Sequence, residues 1–218
     1  MDKEFCKAFV LSYISRAFLY PDDELLKALG EGLEDLAFCL KILNQDFDVK
    51  SLKIEIDKAD IVELQADYTN LFLLALRAPI SETAYEIDKT SRRAYELADI
   101  SGFYKAFGVE VPQGIEPDHL SAELEFLSIL LQKYIMIDQE EGKDVCIKAY
   151  KDFLKDHVGR WYELFTKLVN ENANTSFYKT IANLMKSLID EETKGMKIYK
   201  LFEYHEETLK GNSWSCIN

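Results

Sequence analysis

Nine glycines and four prolines in 218 residues leave this chain short of the turns that a fold of many short strands requires. Between those few breaks, apolar residues recur every three or four positions, the spacing of one helix face. No stretch alternates strictly, and no repeat of fixed period occurs. The sequence therefore predicts an all-α protein, a single globular multi-helix bundle of about nine to eleven helices at ordinary helix length. Hydrophobic residues at 48% and charged residues at 30% supply a core and exclude a disordered chain.

The first helix spans 3–19, with Phe5, Phe9, Tyr13 and Ala17 along one side and a stop at Pro21. A second begins at Pro21, whose ring and following acids suit a first turn, with Gly30 and Gly32 as breakpoints. After a polar connection near 44–50, helix resumes from about Asp57 through Ala75 and breaks at Pro79. The next runs from about Thr83 to Phe107, in one piece or two, and places Gly108 at C′. The loop "VEVPQGIEP" divides one domain, 1–218, into an N-terminal half 1–107, a hinge 108–117 and a C-terminal half 118–218. The helix that follows carries Leu120, Leu124, Leu127, Leu131 and Tyr134 on one stripe. Phe126, Ile129, Leu130 and Met136 widen that stripe nearly all round, which predicts a central helix. Later helices are expected after Gly142, in "RWYELF", near 176–190 and at 196–209.

A net charge of −13, from 26 basic and 39 acidic side chains, repels phosphate backbones and anionic lipid. Nucleic acid is thus excluded as a partner, and basic partners are favoured. Cys6, Cys39, Cys146 and Cys216 have no metal-ligand spacing and read as reduced thiols. The N-terminus is broken by charges and lacks a signal-peptide cleavage site. "LSILLQKYIMI" is too short and polar to span a bilayer. The expected location is cytoplasmic, without stable membrane insertion.

Catalytic patterns are missing: there is no Walker loop, GxGxxG, GxSxG or HExxH. Glu116 and His119 have Glu-x-x-His spacing, but a di-iron site needs a second copy, and neither His157 nor His205 follows a glutamate by three residues. His119 and Glu123 share a helix face, yet two donors make a weak metal site. No metal, no cofactor and no enzyme activity is expected. "SRRAYEL" imitates an export signal but sits mid-chain, so Arg92 and Arg93 read as solvated helix residues. "GIEPDHLSAELEFL" is the segment that stands out. In its plain reading Pro117 opens the helix, Asp118 caps it and His119 is exposed.

Three segments in order, across about residues 60–165, resemble the TorD/DmsD/NarJ family of redox-enzyme maturation chaperones. "DYTNLFLLALRAPISETAY" is similar to a Tyr/Trp-x-x-Leu-Phe segment followed by a proline loop and a Ser-x-x-x-Tyr-like continuation. "EPDHLSAELEFL" is similar to the family's Glu-Pro-x-Asp-His-Leu motif, and "FLKDHVGRWYELF" to its Phe-Leu-x-x-His-x-x-x-Trp stretch. The resemblance implies an all-helical cytoplasmic chaperone. Its partners would be the catalytic subunit of a molybdenum-cofactor oxidoreductase and that subunit's twin-arginine leader, held until the cofactor is inserted. Carried onto this chain, the peptide-binding set is Tyr68, Leu71, Phe72, Pro79, Tyr85, Asp118, His119 and Glu123. Asp118 would receive a guanidinium and the aromatic and leucine side chains an apolar segment. Influences on His119 oppose each other, and its charge near neutral pH stays open: the helix dipole disfavours its cation, while Asp118 and Glu123 favour it. A homodimer that exchanges halves about 108–117 is implied as well. The alternative is a helical adaptor that docks on a respiratory reductase without reading a leader.

Overall fold

The structure, a computed structural model, describes residues 3–85 and 90–201, with the backbone alone at 90–92. Among these residues the chain forms ten α-helices: α1 Lys3–Ala17, α2 Asp23–Glu31, α3 Leu33–Ile42, α4 Val49–Asp57, α5 Ile61–Tyr68, α6 Thr90–Ala106, α7 Leu120–Met136, α8 Glu140–Asp156, α9 Val158–Asn172 and α10 Ser176–Glu192. The all-helical expectation holds, and α7 is the central helix it was read to be, with Leu120, Leu124, Leu127 and Leu131 fully covered.

α1 lies mainly against α7 and also touches α2, α3 and α10. The face read from spacing is only partly the buried one. Tyr13 and Ala17 are inside, but Phe5 is 43% exposed, and Cys6, Val10, Leu11 and Ile14 carry the contact instead. With neighbours on several sides, α1 has no single solvent face for a stripe to avoid. Small polar residues let α1 and α7 approach closely. Ser15 and Ser121 exchange hydroxyl-to-carbonyl bonds of 2.8 and 2.6 Å, and the Ser128 hydroxyl donates to the Ala8 carbonyl at 2.7 Å.

Aspartates set several helix starts. Asp22, Asp48 and Asp60 each accept backbone amides of the first turn, the usual N-cap bond. Asp48 and Asp60 also explain a correction: the helix expected from about Asp57 is α4 ending there and a separate α5 beginning after Asp60. α5 continues into one π-helical turn, Thr69–Leu73, closed by the Leu74 amide on the Thr69 carbonyl at 2.9 Å. The wider turn points Leu71 and Phe72 inward and leaves Leu73 and Leu74 50% and 80% exposed. Leu76 then takes φ +47°, a conformation unusual for a leucine.

α6 ends as expected. Gly108 has φ +64°, and the Val109 amide reaches back to the Tyr104 carbonyl at 2.9 Å, a Schellman closure. α8 and α9 meet at His157 alone, and Gly159 is required there, since a Cβ would lie 2.5 Å from the Leu154 carbonyl oxygen. Buried Asp67 on α5 accepts the amides of Asn174 and Thr175 and the Thr175 hydroxyl, so one helix caps the start of α10 from across the fold. The helix expected at 196–209 is corrected where it can be seen. Residues 196–201 are irregular and strap α9, with the Leu201 amide on the Arg160 carbonyl at 2.8 Å and Lys200 beside Glu163 at 2.5 Å. The rest of that segment, with His205 and Cys216, lies outside the described residues. Cys6, Cys39 and Cys146 are buried thiols, and no described helix is long and apolar enough to cross a membrane.

Candidate functional site

Pro79 to Tyr85 runs between the starts of α7 and α9 and is fastened at each step. Ile80 accepts from the Leu120 amide at 2.9 Å, and the Glu82 amide donates to the Asp118 carbonyl at 2.9 Å, a short antiparallel bridge between Ser81 and His119. The Thr83 amide and hydroxyl both donate to Asp118 Oδ2, at 3.2 and 2.5 Å. The Tyr85 hydroxyl closes back on the Pro79 carbonyl at 2.7 Å, while its ring lies 5.1 Å from that of Trp161.

This geometry corrects the plain reading of Asp118. The N-cap of α7 is His119, whose Nδ1 accepts the Ser121 amide at 3.2 Å. Asp118 stands one residue earlier, where the bridge turns its carboxylate away from the helix and onto Thr83. Its Oδ1 is buried without a hydrogen-bond partner. His119 is half-buried rather than exposed. Burial lowers its pKa to about 4 against the opposing pull of Asp118, so the ring is neutral near pH 7 and can accept through Nδ1. Burial, which the sequence does not display, is the larger influence on that charge.

The eight sequence-derived residues fall into two linked groups. Tyr68, Leu71 and Phe72 are at most 3% exposed. Phe72 lies within 6.2 Å, ring to ring, of Phe18, Tyr68, Phe165 and Tyr178, and Tyr68 donates to the Phe18 carbonyl at 3.2 Å. These three are packed in the core, not in an open groove, and the Ala78 amide on the Leu71 carbonyl at 3.0 Å ties them to the segment that follows. Pro79, Tyr85, Asp118, His119 and Glu123 form the second group. Trp161 joins the two, lying 5.5 Å from Phe165 and 5.1 Å from Tyr85.

Sequence reasoning missed the buried charges beside that second group. Glu82 is fully covered. Its Oε2 lies 3.0 Å from His157 Nδ1, its Oε1 3.3 Å from the Arg160 guanidinium. Glu96 approaches Arg160 at 3.6 Å and Asp99 approaches His157 Nε2 at 3.4 Å. Glu123 is also fully covered and accepts from Trp161 Nε1 at 3.3 Å. Burial first, then the charge and contact of Glu82, push its carboxyl well above the usual range. Glu82, Glu96 and His157 could offer a metal three donors within 4.8 Å of one another, but Arg160 already brings a positive charge between the two carboxylates. The one early signal was the density of polar residues in "DHVGR", too short a pattern to mark burial. Arg93 is exposed as read, and the Arg92 side chain lies outside the described residues.

The comparisons with known proteins agree with this architecture. A perchlorate reductase assembly chaperone protein from Dechloromonas aromatica is 26% identical over 90% of this chain and 92% of its own length. A chaperone protein TorD from Vibrio cholerae is 27% identical over 60% of this chain and 61% of its own. A chlorate reductase assembly chaperone protein from Ideonella dechloratans is 27% identical over 78% and 80%. The fold matches the crystal structure of a redox enzyme maturation protein from Archaeoglobus fulgidus at TM-score 0.55 and 22% identity, over 87% of this chain and 94% of that one. The sequence profile of the nitrate reductase delta subunit family covers residues 22–167, and the chain belongs to that family of chaperones, as the three motif segments led us to expect.

Proposed function

We propose that this protein is a maturation chaperone for a molybdenum-dependent reductase, and that it holds its client by a twin-arginine leader in the cytoplasm until the cofactor is in place. Chaperoning of a reductase is the coarser part, and it rests on relatives named as reductase assembly chaperones that align along most of the chain. They are assembly factors, and this chain is not an enzyme. The finer part, leader binding, rests on one observation: Asp118, in the motif that carries the resemblance, has a buried carboxylate oxygen without a hydrogen-bond partner. A guanidinium is the donor best matched to it. Leu73 and Leu74, exposed just before the fastened segment, offer apolar contact for the residues that follow the arginines. Pro79 and Tyr85 would then hold the shape of the segment, with Tyr68, Leu71 and Phe72 packed in the core behind it, and meet the peptide as it shifts.

Calorimetry with a leader peptide carrying two arginines and an apolar stretch tests this. The expected affinity is micromolar, about −8 kcal/mol, weakening with salt and falling when both arginines become glutamine. Binding of the whole client without measurable heat from its leader would support the adaptor reading.

A further inference from the structure

Glu82 and Glu123 bring two carboxyl groups together with no exposed surface on either residue. Glu123 Oε1 has no hydrogen-bond partner as an acceptor, because the group it faces, Glu82, also accepts. One proton resolves that conflict: on Glu123 it makes the carboxyl a donor to Glu82, whose other contacts are with His157 and Arg160. We propose that the Glu82–Glu123 pair is a proton-held latch that keeps residues 80–85 closed over Asp118. Removal of the shared proton leaves two buried carboxylates side by side, and their repulsion is relieved when the segment lifts. The Asp118 contacts to the Glu82 and Thr83 amides break in that motion, exposing Asp118 Oδ1 to a guanidinium. That last consequence rests on the proposed role of Asp118; the latch itself does not.

The surroundings favour a pair with one proton. The segment contributes Glu82 and Tyr85, and Asp118 and His119 precede α7. His157, charged only when protonated, comes from the α8–α9 junction and the Arg160 cation from α9, and α6 adds Glu96, Asp99 and Tyr104. Acids outnumber cations, so a second ionised carboxyl adds repulsion, and the raised pKa of Glu123 agrees. A raised acid stabilises the closed form fully below its ordinary pKa and loses that contribution as pH rises through the folded value.

Hydrogen exchange on the full chain without peptide tests the latch, read at the Glu82 and Thr83 amides and corrected for the intrinsic rate at each pH. Wild type should lose protection as pH rises above the ordinary glutamate range, by up to about tenfold per unit until the raised folded value is passed. E123Q, whose amide donates to Glu82 and accepts from Trp161 without a proton to lose, should keep protection level across that range. Level protection in wild type would overturn the latch, as would the same decline in E123Q. If E123Q fails to fold, the wild-type profile alone decides: a level profile overturns the latch and a declining one supports it. Since no peptide is present, the result is independent of whether leaders bind.

Discussion

Thr83 gives both of its donors, amide and hydroxyl, to a single oxygen of Asp118. The acid of the Asp-His motif is thereby the anchor of a segment 35 residues upstream, and the helix it precedes is capped by its neighbour His119.

This pairing predicts coupled stability losses. Asp118→Ala and Thr83→Val should each cost about 1–3 kcal/mol, since each leaves buried polar groups without partners. The double variant should cost clearly less than the sum. Urea denaturation of the four proteins measures it. Additive losses would show that the two side chains do not depend on each other.

Depth separates the two apolar groups near the π-turn. Phe72→Ala should cost about 3–5 kcal/mol and Leu71→Ala about 2–5 kcal/mol, the range for emptying a packed core. Leu74→Ser, at a position 80% exposed, should stay within about 0.5 kcal/mol of wild type while weakening leader binding. Melting curves and calorimetry on the same samples distinguish the effects. A Leu74→Ser variant that binds normally would remove the exposed leucines from the peptide site.

The depressed pKa of His119 gives a signed acid dependence. Its folded value of about 4 lies below the ordinary 6.5, so its contribution is complete above pH 6.5 and is lost as pH falls towards 4. The loss by pH 5 is on the order of 1–2 kcal/mol. Asparagine can accept the Ser121 amide in place of the ring, so His119→Asn should fold and show a flatter profile between about pH 6.5 and pH 5. Equal slopes for the two proteins, from urea midpoints at each pH, would place the acid sensitivity elsewhere.

The helical class and the central helix were legible because they depend on periodicity, and α7 keeps its leucine spacing through several turns. Gly108 was legible because a left-handed residue after a helix has a strong chemical preference. The division of labour between Asp118 and His119 was not. It is fixed by the bridge to Ser81, a contact between segments that neither sequence neighbourhood reveals. The partners of Glu82 lie on α7, on α9 and at the α8–α9 junction, with His157 75 positions away and Arg160 78, so no local window could gather that cluster. The peptide-binding assignments of Tyr68, Leu71 and Phe72 came from motif order, which carries no information about depth.

The loop 108–117 invites a separate test. We propose that it can act as a hinge between the halves, because α1 and α7 lie on opposite sides of it in sequence and share an extensive contact. A swapped dimer would remake that contact between two chains at little cost. Light scattering after refolding at high concentration should show dimer beside monomer, interconverting slowly. Monomer alone at every concentration would exclude the exchange.

The α1–α7 seam also puts a delay into the birth of the protein. Ser15 and Ser121 are separated by 106 residues, and at elongation speeds of about 5–20 residues per second their partnership must wait roughly 5–20 s. During that interval α1, with Val10, Leu11 and Ile14 on it, lacks its main packing partner, although α2 and α3 can already touch it. A reductase assembly chaperone thus passes through a partly uncovered state of its own. Slower translation between α1 and α7 should lower its soluble yield more than the same slowing placed after α7.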